Sequence, residues 1–415
     1  MDVNSRSGAE VTSDGDFNLR IFLFLPFLRV LRGSSALLGV MMKIKAAMIR
    51  QMGLPQPYAD SKPMSIEEVE LDKPGQREVL VQIKAASLCH SDLSTVNGDR
   101  PRQMPMVLGH EASGIVQEIG SGITDLKVGD HVALVFAPSC GQCPPCVEGH
   151  PGRCEPGQQA NGAGKLLNGG MRLSQKGEPV YHHVGVSAFA EYCVVNRGSV
   201  VKIDSTLPFD EAALFGCAVL TGVGAVFNTA QVFPGSKVAV LGLGGVGLNS
   251  LLGAIVAGAQ QIVALDLHDD KLKMAKELGA TDTVNAKDPD AIRKVKEMTG
   301  GGVHFALEMA GSVQAMELAY RITRRGGTTV SAGLPHPDHR WPLQHVNMVA
   351  EERTIKGSYV GSCVASRDIP RYIDLYRRGM LPVNKLMSDH IRLEDINTGF
   401  DRLASGHTVR QIIMM

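Results

Sequence analysis

The sequence predicts an α/β chain of two domains, one β-rich and one built on a doubly wound parallel sheet. Three observations carry this. From Met42 to about Phe215, short alternating runs such as Glu78–Ala85 and Gly114–Ile119 are punctuated by Gly and Pro, the pattern of strands in a β-rich domain. From about Leu220 the pattern changes to strands alternating with helices, which marks a parallel sheet. Finally, Gly242-x-Gly244-x-x-Gly247 lies between an apolar run, Val238–Leu241, and a helical one, Leu248–Ala257. A chain of 415 residues is long enough for two separate cores.

Each element follows in order. Residues 1–41 are set apart. The run Ile21–Leu28 is apolar but only eight residues long and holds Pro26, whereas a spanning helix needs about 20. Asp2, Glu10, Asp14 and Asp16 make the leading segment acidic, unlike a signal peptide or a mitochondrial presequence. It reads as a disordered extension or a start assigned too far upstream. The β-rich domain takes residues 42–219, with Lys165–Val184 as a Gly-rich surface loop. The parallel-sheet domain takes 220–359. Its further elements are strands at Ile262–Leu265 and Thr328–Ala332, and an amphipathic helix, Lys271–Leu278, that ends at Gly279. Lys plus Arg number 42, as do Asp plus Glu, so no basic face is offered to nucleic acid.

Gly242, Gly244, Gly245, Val246 and Gly247 form the turn of a dinucleotide fingerprint. The first glycine allows a tight turn, the second lets backbone approach a pyrophosphate, and the third packs helix on strand. The helix N-terminus offers free N–H groups to phosphates. Asp266 ends the next strand, where a carboxylate accepts both ribose hydroxyls and repels a 2′-phosphate, so NAD is expected over NADP.

Cys140, Cys143, Cys146 and Cys154 have the spacing C-x2-C-x2-C-x7-C in a loop rich in Gly and Pro. Such a loop builds no core, and four thiolates around one Zn²⁺ would fold it. Disulfides fit poorly with the cytoplasmic character of the rest of the chain. A ferredoxin-type cluster would bring the fourth Cys closer and follow it with Pro, whereas Glu155 follows Cys154. Cys193 and Cys363 are expected as buried thiols.

Upstream lie Cys89-His90-Ser91-Asp92 and Gly109-His110-Glu111; downstream lies Gly216-Cys217. With the four-cysteine loop and the fingerprint, in this order and spacing, the chain from about Met42 onward resembles the zinc-dependent medium-chain alcohol dehydrogenases. The resemblance implies a GroES-like catalytic domain, to which residues 360–415 return, beside a Rossmann domain, with a cleft between them. It implies Cys89, His110 and Cys217 as ligands of a catalytic zinc, with a fourth position open for water or alcohol. Two zinc ions per chain are therefore expected. A hydroxyl bound to such an ion ionises near neutral pH, and hydride passes from the alcohol carbon to nicotinamide. Ser91 falls on the family's relay hydroxyl. Many relatives end the relay with a His where this chain has Ser94. Asp92 and Glu111 are candidates to support the ligands from behind. His90, Lys271 and Arg410 match cofactor contacts, on pyrophosphate for His90 and Arg410 and on ribose for Lys271.

Phe136, His183, Val184 and Leu334 align with pocket positions, a mainly apolar set suited to aliphatic or benzylic primary alcohols. The nearest alternative is an S-(hydroxymethyl)glutathione dehydrogenase. That class carries two acidic residues near where this chain has Gly98 and Arg100, and an Arg near Gly157 and Gln158; Asp99 remains as a partial substitute. A non-catalytic protein on the same scaffold is the other alternative, and a membrane-tethered assembly factor the least favoured. A homodimer with a small-molecule substrate, in the cytoplasm and with no membrane or nucleic-acid partner, completes the expectation. A protein beginning at Met42 should fold, bind zinc and keep full activity, checked by zinc content and turnover beside the full chain; loss of either would give residues 1–41 a role.

Overall fold

The structure, a computed structural model, describes residues 41–415. The apolar run Ile21–Leu28 and the rest of the N-terminal extension lie outside them. Three sheets organise the described residues. Met42–Ile49, Met64–Leu71, Leu173–Gln175, Glu178–His182 and Met106–Val107 close a small barrel. Beside it, a seven-stranded sheet runs Val200–Lys202, His131–Leu134, Ala112–Ile119, Glu78–Ser87, Arg410–Met414, Met387–Ile391, and Tyr192–Asn196 adds to Glu78–Ser87.

The third sheet has six strands, all parallel: Asp282–Asn285, Gln261–Asp266, Lys237–Leu241, Val303–Glu308, Thr323–Ser331 and Thr354–Gly357. Numbered within this sheet, the order is 3-2-1-4-5-6, that of a doubly wound dinucleotide-binding fold. The strands read as apolar runs because helices cover both faces; Val238, Val240, Val263, Ala264, Ala306 and Leu307 are fully buried. The strand expected at Thr328–Ala332 begins at Thr323, where Thr323 Oγ1 bonds the Thr329 hydroxyl at 2.8 Å.

One expectation is corrected. Lys165–Val184 is not simply a surface loop, since Leu173–Gln175 and Glu178–His182 pair as a hairpin that helps close the barrel. Leu166, Leu173, Val180 and His182 are buried. The apolar residues are too sparse in this polar stretch to show as alternation. Its glycines include Gly177, at φ 83° in the hairpin turn, where a left-handed residue is needed.

Pairing registers set the site. Ile412 opposes Ser87 and Ile413 opposes Ala86, and the Leu88 N–H donates to the Gln411 carbonyl at 3.0 Å, so Arg410 comes beside Cys89. Ala86 opposes Ala112, and the Ser87 N–H donates to the Glu111 carbonyl at 2.7 Å, which brings His110-Glu111 to the same place. No single helix among the described residues is long and apolar enough to cross a membrane.

The barrel's outer face carries a polar cluster. Arg50 donates to both Glu67 oxygens at 3.1 and 2.8 Å, and the Gln175 amide donates to Glu67 at 2.8 Å. Hydrogen bonding from Arg50 outweighs partial burial and holds Glu67 down at about 2. The folded value lies below the unfolded one, so the stabilisation is present above pH ~4.5 and is lost as pH falls toward 2. Glu67→Gln should therefore flatten the loss of stability across that window, measured by denaturant unfolding at stepped pH, and leave the slope above pH 6 unchanged.

Candidate active site

Three donors converge from distant parts of the chain. Cys89 caps the helix His90–Val96. His110 follows Gly109, whose φ is 93° and whose Cβ, if present, would lie 2.5 Å from the Phe189 nitrogen; only glycine fits that turn. Cys217 precedes the helix Ala218–Gly224, and a Cβ on Gly216 would lie 2.0 Å from the Leu134 carbonyl oxygen. All three residues are buried, and their donor atoms lie within 4.8 Å of one another.

The charges behind these donors are arranged in two sets. Asp92 accepts from the backbone N–H of Cys89 at 3.1 Å and of Gly109 at 3.3 Å, and from His110 Nδ1 at 2.9 Å. One carboxylate thus staples two donor segments. Because a carboxylate only accepts, a proton sits on His110 Nδ1, so that in the neutral ring the lone pair is on Nε2. That Nε2 is buried and has no hydrogen-bond partner. Glu111 accepts from the Ala218 N–H at 3.0 Å and lies 3.4 Å from Arg410 Nε. Burial pushes Glu111 up to about 7 despite the opposing pull of Arg410. Arg410 is itself buried, with a guanidinium nitrogen 3.9 Å from the Cys89 sulfur. A buried imidazole nitrogen without a partner, facing two thiols, fits a soft divalent cation, and the donor set is that of zinc.

The four-cysteine loop forms a second cluster, its sulfurs within 4.8 Å of one another. Backbone N–H groups of Gln142 and Cys143 donate to the Cys140 sulfur, and those of Cys140 and Gly157 to Cys154. Burial opposes ionisation of Cys140, but the amides of Gln142 and Cys143 win and bring its thiol down to about 7. None of the eight cysteines is in a disulfide. Cys193 and Cys363 are buried, and burial pushes both thiols up.

A cleft of 620 Å³ runs from Cys89 and Ser91 past the glycine turn to Asp266 and Lys271. Gly242 has φ 87°, and a Cβ there would lie 2.8 Å from Ala310. A Cβ on Gly247 would lie 1.8 Å from the Gly242 carbonyl oxygen, while one on Gly244 would meet no protein atom within 4 Å. The bare face at Gly244 therefore opens on the cleft, as a backbone approached by a pyrophosphate requires. The helix Gly245–Val256 starts there, Arg410 packs on Gly245, and half-buried Val246 and exposed His90 share the wall. Asp266 accepts from the N–H groups of Leu243 at 2.6 Å and His268 at 3.0 Å, which aims its carboxylate along the same wall.

The pocket residues divide. Phe136 meets the His110 ring edge-on at 5.3 Å and Tyr359 at 6.1 Å. His183 is 2% exposed, 3.3 Å from Asp92 and edge-on to His110 at 5.6 Å. Val184 is half-buried beside it in a left-handed conformation, φ 43°, costly for a β-branched residue. Leu334 is 53% exposed and lines the cleft. Its carbonyl accepts from Arg100 at 2.8 Å, a cross-cleft contact that sequence spacing could not show. Asp99 also lines the cleft. Gly157 is buried in the cysteine lobe and Gln158 is exposed outside that cleft. Ser94 donates to the His90 carbonyl at 2.9 Å. His268, Met309, His336 and His339 line the cleft too and belong to no motif.

Residues 75–205 match the family model "Alcohol dehydrogenase GroES-like domain" and residues 245–378 match "Zinc-binding dehydrogenase". Alcohol dehydrogenase 1 of Pisum sativum is 38% identical over 383 residues, 91% of this chain and 98% of that protein. The chain belongs to the zinc-dependent medium-chain alcohol dehydrogenase family. Among solved structures, the benzyl alcohol dehydrogenase of Acinetobacter calcoaceticus aligns with TM-score 0.84 and 32% identity, over 90% of this chain and 99% of that one. A zinc-binding dehydrogenase from Sinorhizobium meliloti 1021 bound to NADP aligns with TM-score 0.73 and 26% identity, over 90% and 100%. This alcohol dehydrogenase is an oxidoreductase of mixed α/β fold, with a GroES-like domain and a Rossmann-like parallel sheet.

In this alcohol dehydrogenase, Asp92→Asn should lose zinc to a chelator 10–100-fold more readily, the usual cost of removing such a partner. Competition with a chromogenic chelator checks this; unchanged retention would show that Asp92 does not orient His110.

Proposed function

We propose that the protein is an NAD-dependent alcohol dehydrogenase holding two zinc ions per chain, one on Cys89, His110 and Cys217 and one on Cys140, Cys143, Cys146 and Cys154. The observation that carries the reading is the unpartnered, buried His110 Nε2 facing two thiols at the end of a cleft that opens on Gly244. Bound there, zinc supplies a Lewis acid for an alcohol hydroxyl and nicotinamide supplies a hydride acceptor. Asp92 keeps His110 in the ligating tautomer. Arg410, held by Glu111, adds positive charge beside Cys89 and favours its thiolate. Ser91, half-buried on the cleft wall, is the proposed relay hydroxyl, which accepts the alcohol proton as it donates its own. Ser94 donates to the His90 carbonyl and is no base near neutral pH, so the proposed relay ends in bulk solvent rather than on a side chain at that position.

The buried Asp266 carboxylate on the cleft wall supports NAD over NADP, because a 2′-phosphate would meet like charge. Lys271, buried at the same wall, supports a ribose contact. Phe136 and Tyr359 beside the donor cluster support benzylic or aliphatic primary alcohols, and the likeness to a benzyl alcohol dehydrogenase agrees. The alternative glutathione adduct loses support, because Gly157 and Gln158 offer no cation and lie outside the cleft that Arg100 lines. A cytoplasmic homodimer is the proposed form; Val346 and Val349, 62% and 64% exposed on the helix His345–Ala350, offer an apolar face for a second copy.

Metal analysis after dialysis against zinc-free buffer should return two zinc per chain. Cys217→Ser should reduce turnover to background with little change in Tm, whereas Cys146→Ser should lower Tm. One zinc, or iron, would overturn the two-site assignment. With hexanol and benzyl alcohol, kcat/KM should be higher with NAD than with NADP, and Asp266→Ser should narrow that ratio roughly tenfold, a like-charge effect of about 1.4 kcal/mol. Equal use of NADP, or a much higher kcat/KM for S-hydroxymethylglutathione, would overturn the cofactor or the substrate assignment respectively.

A further inference from the structure

A third group of metal-binding side chains lies at the outer mouth of the cofactor cleft. His268, Asp270 and His407 place one donor atom each within 4.8 Å of one another. His407 Nδ1 and Asp270 Oδ2 are 3.0 Å apart, and the His268 and His407 rings meet edge-on at 5.4 Å. His268 is half-buried and lines the cleft, whereas Asp270 and His407 are exposed on its rim.

The two sides of this cluster come from different parts of the fold. His268 and Asp270 follow the strand Gln261–Asp266, at the start of the helix Asp269–Glu277. His407 sits in the turn that enters the strand Arg410–Met414 of the other sheet. Gly406 makes the approach possible: its φ is 81°, and a Cβ on it would lie 3.2 Å from His268 Nε2. A larger residue would be strained in that conformation and crowded against the imidazole.

We propose that His268, Asp270 and His407 bind a labile Zn²⁺ ion that clasps the two walls of the cofactor cleft. Two imidazoles and a carboxylate are a common donor set for this ion. Metal–ligand bonds of ~2.1 Å in a tetrahedral site put donors about 3.4 Å apart. The exposed side chains reach that spacing from 4.8 Å or less by small rotations. Solvent takes the fourth position, which makes the site weaker and more exchangeable than the thiolate sites. Asp266 lies two residues before His268 and Arg410 three residues after His407, and both line the cleft. An ion joining the two segments fixes their separation and slows exchange of the cofactor held between them. This effect rests on the cofactor reading above; the ion site does not.

The test uses the zinc-loaded enzyme dialysed against micromolar free Zn²⁺, with His407→Gln and Asp270→Asn beside it. Both substitutions alter the direct His407–Asp270 contact that already spans the two walls, so the release rate of each protein is compared with and without added Zn²⁺. The native protein should take up one equivalent more Zn²⁺ than either variant. Added Zn²⁺ should slow release of the reduced cofactor several-fold in the native protein, followed by stopped-flow fluorescence, and leave the variants unchanged. Equal uptake by native and variant proteins would overturn the site. An extra equivalent that leaves release unchanged would overturn the clasp. The uptake comparison is a difference between proteins, so it stands whatever number of ions the cysteine clusters hold.

Discussion

Two thiols and an imidazole nitrogen face one another in the interior, and burying such a set without a cation is costly. The arrangement around Cys89, His110 and Cys217 manages that cost through the charges behind it. Asp92 binds the backbone at Cys89 and Gly109 as well as His110, so the group that sets the imidazole's tautomer also holds two loops in place. Glu111 does the same between Arg410 and the N–H of Ala218, next to Cys217. Four chain segments separated by as much as 321 residues are thereby tied at one point.

That point connects the two halves of the molecule. Arg410 lies beside the Cys89 sulfur on one side and packs on Gly245, at the start of the fingerprint helix, on the other. The strand that delivers it pairs with Glu78–Ser87, whose continuation carries Cys89. A shift of that pairing by one residue would turn Arg410 to the opposite face and leave Glu111 buried without its counter-charge. Sheet register and the chemistry of the cleft are therefore one constraint.

Much of the fold could be read from the chain because its strongest signals are local. Apolar strands followed by helices mark the parallel sheet, and the third fingerprint glycine, Gly247, answers to the Gly242 carbonyl five residues before it. The Lys165–Val184 hairpin escaped because its strands are short and its buried residues few. The position of His183 against Asp92 and His110 depends on the path of the turn at Val184, which an aligned position does not encode. Leu334 reaches the cleft with its side chain half exposed, and its part in the structure runs through a backbone carbonyl that any residue would supply.

By itself the sequence determined the spacing of the four-cysteine loop, the glycine turn and its acidic successor, and the presence of Cys89, His110 and Cys217 in family order. These are covalent or near-neighbour facts, and the geometry of a short loop leaves them little freedom. The tertiary structure alone decided that Asp92 serves His110, that Glu111 is matched to Arg410, that Arg100 reaches across to Leu334, and that His407 meets His268 and Asp270. Each of these contacts joins segments far apart in the chain, except Asp92 with His110, which are 18 residues apart. Their distances are set by strand pairing and by turns that only glycine can make, and no local pattern of residues specifies which distant partner those will bring near.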